Sequence, residues 1–511
     1  MVGATHAPGA ADPVLTIAVE ADKTPWYRKP NLRYLYLMMF PTCMGIEITS
    51  GFDSQMINAV QIVDSWKIYF GRPTGALQGI IGAMYSLGAI CSLPFVGIIN
   101  DRLGRRWAIF IGSCTMYLAA RFLLGFGIPM CIVAGSALLG ELGYPKERPI
   151  LTSLFNASYF IGAILAAGIT FGTMTIPNDW GWRVPSLLQA APSLLQVCLI
   201  FFVPESPRHL ISKDRKEEAR AILIKYHAEG DAGSELVNAE IAQIEATIQL
   251  ELESSKQSWA DLFRTPGMRR RMLLSGLLGL FTQWSGNTLI SYYLDKILTS
   301  VGFTDPQTKG KLNIGLTCWN LVNGTILALL VTRFRRRTMY LICTCSLLVV
   351  YVGWTITQAR YLATASAAAG NLVIFWMFAY SPCYNTGYNA LTYTFLVELW
   401  PFAQRSRGIA FFQLFGRGAG FFNTFVNPIG LDNIGWKYLI TYCCWIAFEI
   451  VVVYFLFPET SGRTLEELAF LFEDSKLAEQ QAAVTDKHLH AGPVEVDDER
   501  KEVVVQHKEL A

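Results

Sequence analysis

Charge is scarce in this chain: Asp, Glu, Lys and Arg make up only 16% of 511 residues, whereas soluble domains run near a quarter. Lys and Arg (42) nearly balance Asp and Glu (40), so no nucleic acid or other polyanionic partner is indicated. Ligand-like cysteine pairs are missing too. The cysteines lie mostly in apolar runs (Cys91, Cys114, Cys131, Cys198, Cys443, Cys444) with no partner histidines, which reads as small buried hydrophobes and implies no metal. There is no GxxxxGK[ST] loop and no catalytic serine constellation, and the histidines are scattered, so neither an enzyme nor a bound cofactor is expected. No cleavable signal is seen; the polar start "MVGATHAPGAADP" reads as a disordered cytosolic arm over 1–30.

Apolar side chains fill the space that charge leaves. A transmembrane helix needs roughly 20 apolar residues to cross about 30 Å of hydrocarbon. Stretches at 34–60, 76–99, 107–140 (to be divided), 150–176, 183–203, 272–298, 312–331, 338–357, 371–397, 407–430 and 437–457 meet that need. The expected class is an all-α polytopic membrane protein in the lipid bilayer. The charges gather instead in 204–271, a linker with amphipathic helical spacing, and in 458–511, a polar tail. Short cytosolic loops carry a Lys/Arg excess. The clusters Arg102–Arg106, Lys146–Arg148, Arg208–Arg220, Arg269–Arg271, Arg333–Arg337 and Arg405–Arg407 should therefore face the cytosol, as should both termini. Loops 61–75, 177–182, 299–311 and 358–370 should lie outside.

The basic knots repeat. Asp101-x-x-Gly104-Arg105-Arg106, then Glu141…Arg148, then "PESPR" at 204–208 are echoed by "TRFRRR" at 332–337, Glu398…Arg405 and "PETSGR" at 458–463. Two homologous six-span bundles, 31–203 and 272–457, related by an axis along the membrane normal, give this pattern. These segments, with "GFDSQMINAVQ", "RFLLGFG", "QWSGN…SYYL" and "VELWPFAQRSRG", resemble the sugar porter family of major facilitator transporters over about residues 30–475, in its fungal lactose-permease and hexose-transporter-like branch.

The echo also measures a shortfall. Asp101 to Glu141 spans 40 positions, whereas Thr332 to Glu398 spans 66; Glu141 to Glu205 (64) and Glu398 to Glu459 (61) nearly agree. Residues 107–140 must hold spans three and four, yet two helices sharing them reach only about 24 Å each. A skipped segment is expected there. A single crossing would put Lys146–Arg148 outside and invert everything downstream.

Ionisable groups within spans cost at least about 2.5–3.5 kcal/mol each at mid-membrane, so each is a functional candidate. The resemblance implies that Asp53 binds the coupled proton, with Arg121 of "RFLLGFG" pairing with it and releasing it as the halves rock. Glu47 reads either as a second titratable group or as a strut between helices. Arg417 stands where sugar porters often carry a tryptophan, a departure bearing on substrate choice. Sugar recognition calls for amides, hydroxyls and aromatic faces. The candidates are Asn156, Gln283, Asn287, Tyr292, Asn320, Asn389 and Tyr393, each of which could equally be glue between helices. The family's paired glutamines are here Thr282 and Gln283, its "GIN" is "GNT" at 286–288, its span-five glutamine is Ala163 and its span-ten tryptophan is Tyr393. The gating set implied is Asp101, Arg105, Arg106, Glu141, Arg148, Glu205, Arg208, Glu398, Arg405, Glu459 and Arg463, weakened where Thr332 replaces an acid and Arg335 a glycine. The expected function is plasma-membrane sugar transport (hexose or disaccharide) by alternating access, coupled to protons, in a monomer. A carrier or exporter of another metabolite and a non-transporting sugar sensor are the alternatives.

Overall fold

Hydrocarbon offers a backbone no water to bond, so each apolar run must close its hydrogen bonds internally. The computed structural model describes residues 23–103, 121–255, 261–330, 334–400 and 404–460, and among these all regular structure is helical. Five stretches among them are long and apolar enough to cross a membrane by length and composition alone, from Gly75–Leu93 to Arg407–Leu456.

The first half runs α1 (Pro30–Met39), a π-helical segment (Phe40–Met44), α2 (Gly45–Val60), α3 (Gly75–Leu103), α4 (Arg121–Leu142), α5 (Arg148–Thr173), α6 (Trp180–Leu188) and α7 (Ala190–Leu199). Two surface helices follow, α8 (Lys216–His227) and α9 (Glu235–Ser255). The second half holds α10 (Pro266–Trp284), α11 (Asn287–Ser300), α12 (Pro306–Leu330), α13 (Arg336–Thr364), α14 (Ala367–Tyr384), a π-helical segment (Asn385–Asn389), α15 (Thr392–Leu399), α16 (Arg405–Ile434) and α17 (Tyr438–Leu456).

Two stretches expected to be continuous spans are interrupted. The run 272–298 breaks at Ser285–Gly286 because Gly286 takes φ +92°, and a Cβ there would collide with the Tyr351 hydroxyl. The run 371–397 passes through the π-helical segment that divides α14 from α15. Elsewhere glycine brings helices together. A Cβ at Gly51 of α2 would lie 1.9 Å from the Tyr159 carbonyl of α5, and one at Gly162 1.9 Å from that of Ile48. This crossing fixes α2, which carries Glu47 and Asp53.

The shortfall read from the sequence has a structural counterpart. In the second half α13 anchors the core with Tyr340, Cys343, Leu347, Tyr351 and Trp354. No described helix of the first half answers to it; 17 residues, 104–120, separate Leu103 from Arg121, and they lie outside the described residues. The inversion expected of a single crossing is nevertheless avoided. Gln78, early in α3, bonds Gln61 beyond the end of α2. Gly125, early in α4, meets Tyr85, while the residues after α4 reach the start of α1, where Tyr144 N–H donates to Tyr36 (3.2 Å) and Lys29 lies 4.1 Å from the Tyr144 ring. So α3 and α4 run parallel, and Glu141 emerges on the face where α1 begins.

The linker docks on that face. Glu229 accepts from the N–H groups of Asn31 and Leu32 (3.1 Å each), capping the otherwise unsatisfied first turn of α1. His227 bonds Glu240 (2.6 Å) and the Leu142 carbonyl (3.2 Å), tying α8 and α9 to the end of α4.

Candidate functional site

Among the described residues, a set of polar contacts between the halves gathers at one end. Lys67, in the short helix Asp64–Tyr69, pairs with Asp295 of α11 at 3.0 Å. Lys309 grips the same carboxylate at 2.6 Å from α12. Asn313 accepts from Gln55 (2.6 Å) and Asn58 (3.3 Å), and Asp432 accepts from the Gly75 N–H (2.6 Å) and Lys296 (2.7 Å). Lys309 is 3% and Asp295 12% exposed at the side chain, so removing one partner would strand a charge at a cost of about 3–5 kcal/mol.

At the opposite end a pair of bonds, one inside each half, repeats. Ser206 of "PES" donates to Glu141, and Thr460 of "PET" donates to Glu398 at 2.6 Å. Glu205 accepts from the Ser206 N–H at 2.9 Å. Glu459 accepts from the Arg336 N–H at 3.0 Å, while the Arg336 guanidinium meets Glu398 at 3.3 Å. The internal echo is thus a repeated hydrogen bond as well as a repeated string. Arg208 is half-buried beside this set. The side chains of Asp101, Arg148 and Arg405, and all of Arg105, Arg106 and Arg463, lie outside the described residues.

Between the two ends the halves face each other across a polar midsection. Asp53 is buried in α2 and accepts from the Gln189 amide, between α6 and α7. The side chain of Arg121, its expected partner, lies outside the described residues. Glu47 is buried on another face of the same helix. It lies within Coulombic reach of Arg417 of α16, whose field also reaches Tyr85, Tyr159 and Tyr393. Tyr85 and Tyr159 belong to the first half; Tyr393 belongs to the second, is 53% exposed, and accepts from Gln413 at 2.6 Å.

The candidate amides divide into two groups. Gln283 flanks Gly420, and its carbonyl accepts from Asn423 (3.0 Å); Asn287 follows the break at Gly286 and accepts from Ser291 (3.3 Å); Tyr292 interacts with Tyr85 and Tyr159 across the halves. These belong to the midsection, with Tyr393. Asn320 instead accepts from Ser381, inside a cluster where Asn323 bonds Asn385 at 2.5 Å, so its amide joins α12 to α14. Asn389 is exposed at the end of the π-helical segment. The Asn156 side chain lies outside the described residues.

Several working residues escaped the sequence reading. Glu449, fully buried in α17, bonds Ser285 (2.8 Å) and Tyr388 (2.9 Å), the two positions where α10–α11 and α14–α15 are interrupted. Its signal was plain: one acid in "YLITYCCWIAFEIVVVYFL". Arg336 stood within the repeated knot "TRFRRR" without being singled out. Asp295, an acid within the expected span 272–298, carried the same signal and was passed over; Lys67 and Gln189 gave no sign, because their partners are 228 and 136 positions away.

The sequence matches the family described as sugar (and other) transporter over residues 38–472. A hexose transporter of Saccharomyces cerevisiae, HXT13, is 28% identical over 476 residues, covering 86% of this chain and 83% of its own. The high-affinity glucose transporter of Kluyveromyces lactis is 24% identical over 499 residues, covering 88% of this chain and 87% of its own. Among solved structures, the inward-open xylose transporter XylE of E. coli superposes with a TM-score of 0.70 at 19% identity, over 86% of this chain and 100% of that one, a likeness of fold. The chain therefore belongs to the sugar (and other) transporter family, a multi-pass membrane transporter of major facilitator fold and not an enzyme.

Proposed function

We propose that the chain carries a sugar of hexose or disaccharide size across the plasma membrane together with protons, by alternating access, as a monomer. The observation that carries this reading is where the described contacts fall: the halves are latched at the Asp295 end, while at the other end Ser206 bonds Glu141 and Thr460 bonds Glu398, each pair inside its own half. Between the ends lies a midsection of tyrosines and amides suited to ring hydroxyls. The bundles 31–203 and 272–457 move about that midsection, joined by the linker 204–271. In this reading the Glu398 end, the arm 1–30 and the tail 458–511 face the cytosol, which the basic clusters support.

Asp53 is the proton-binding carboxylate in this reading. Buried and held by Gln189, it can be charged or neutral as the halves exchange access. In energised cells of a transporter-null host, sugar addition should alkalinise the medium. Asp53→Asn should abolish accumulation of labelled sugar while sparing exchange. Undiminished accumulation in that variant would remove Asp53 from coupling. A second reading, a non-transporting sugar sensor, is favoured by one observation, the lack of a described counterpart to α13. Labelled sugar bound by purified protein without flux in vesicles would decide for it.

A further inference from the structure

Arg417 stands about 18 Å along α16 from Arg405, deep within the span. Intramembrane cations ordinarily pair with a carboxylate or with backbone carbonyls. Among the described residues, nothing bonds this guanidinium, and it is not sealed in protein: Arg417 is partly exposed, and its charge is felt by Glu47, Tyr85 and Tyr159 of the opposite half. Glu47 faces it from α2, also without contact. Around it stand Tyr85, Tyr159 and Tyr393, with Gln413 one helical turn before it on the same face. Gly420, on the following turn, leaves room beside Gln283.

Hydroxyls and amides suffice for a neutral sugar. A guanidinium offers more: five donors in a planar fork that fits a carboxylate through two parallel hydrogen bonds. We infer that the substrate is a sugar acid of hexose size, its carboxylate held by Arg417 and its hydroxyls by Tyr393, Gln413 and the facing tyrosines. The inference rests on the transport reading above and narrows its substrate. Glu47 fits the same scheme. With the site empty, its carboxylate is the one that approaches Arg417 as the halves move together; with the site filled, the substrate's carboxylate takes that place.

The test uses purified full-length protein in lipid nanodiscs. Binding of D-glucuronate, D-galacturonate and D-gluconate is measured by calorimetry against the amide of each acid and against D-glucose. At least one acid should bind the wild type about tenfold or more tightly than its amide, as expected of charge-assisted hydrogen bonds. Arg417→Gln should erase that preference and Arg417→Lys should keep part of it. Equal binding of acid and amide, or binding of glucose alone, overturns the inference and leaves sugar transport standing; so does failure of every acid to bind. Vesicle uptake of the same labelled compounds then separates the two claims. Flux of glucose without flux of any acid defeats only the inference, whereas binding of an acid without any flux supports Arg417 as the carboxylate's site and defeats the transport reading. The decisive comparison is made within the wild type, so misfolding of an Arg417 variant cannot mask the result.

Discussion

The Tyr388 hydroxyl donates to Glu449 Oε2 at 2.9 Å, joining α17 to the π-helical segment that interrupts the span from α14 to α15. The other Glu449 oxygen lies 2.9 Å from Ser285, the residue at which α10 gives way to α11. One carboxylate therefore holds the irregular points of two spans. Broken helices at membrane depth persist only where their freed groups are satisfied by protein or line a cavity.

Removing that acceptor should be costly. Glu449→Leu leaves two buried hydroxyls competing for what remains, at about 1–3 kcal/mol for each one left unsatisfied. Glu449→Gln retains a carbonyl oxygen and should cost much less. Thermal unfolding in detergent should rank wild type, Gln and Leu in that order, with the Leu variant several degrees below the others. An unchanged midpoint for Glu449→Leu would show that the carboxylate holds neither interruption.

The sequence made the architecture readable because hydrocarbon excludes charge: apolar runs of span length and basic knots between them follow from that exclusion. Spacing made Glu141, Glu205, Glu398 and Glu459 legible, and Ser206 and Thr460 prove to occupy equivalent roles in the two halves. The interruptions at Gly286 and Asn385–Asn389 were missed although "WSGN" and "NTGYN" are polar and contain glycine, because the apolar residues on either side made each run long enough to read as one span. The bond by which Asn320 joins α12 to α14 was not legible either, because a polar residue within a span reads the same whether it faces a cavity or a neighbour. Contacts between the halves depend on how two bundles meet, which no local pattern encodes.

Asp305 caps α12, accepting from the Thr308 hydroxyl (2.6 Å) and N–H (2.9 Å) and from the Gln307 N–H (3.3 Å). The Thr308 hydroxyl first, then the Thr308 N–H, holds this exposed carboxyl below its ordinary range. A carboxyl whose folded value is depressed contributes stability above its unfolded value, and loses it as pH falls through the folded one. The stability gap between wild type and Asp305→Ala should therefore be full at neutral pH and shrink as pH drops below about 4. A gap that stays constant from pH 7 to 3 would mean that the charge plays no part in the cap.

Lys67 and Asp295 are the charged contact that crosses from one half to the other at the latched end, and Lys309 shares the acid from within the second half. Neutralising Asp295 strands Lys309, which is almost fully buried, whereas Lys67→Ala removes only the partner from the first half and leaves the Lys309 pair intact. The two variants should differ accordingly. Lys67→Ala should loosen the latch while leaving thermal stability near that of wild type, because the interaction lost is partly exposed and worth about 1 kcal/mol or less. Asp295→Asn should both loosen the latch and lower stability by about 3 kcal/mol, the cost of an unpaired buried ammonium. The readout is labelling of a cysteine placed at Asn313, where α12 meets α2, by a membrane-impermeant thiol reagent. In a background lacking the reactive native cysteines, both variants should label several-fold faster than their parent. Labelling no faster in either variant would show that the ion pair does not hold that end shut.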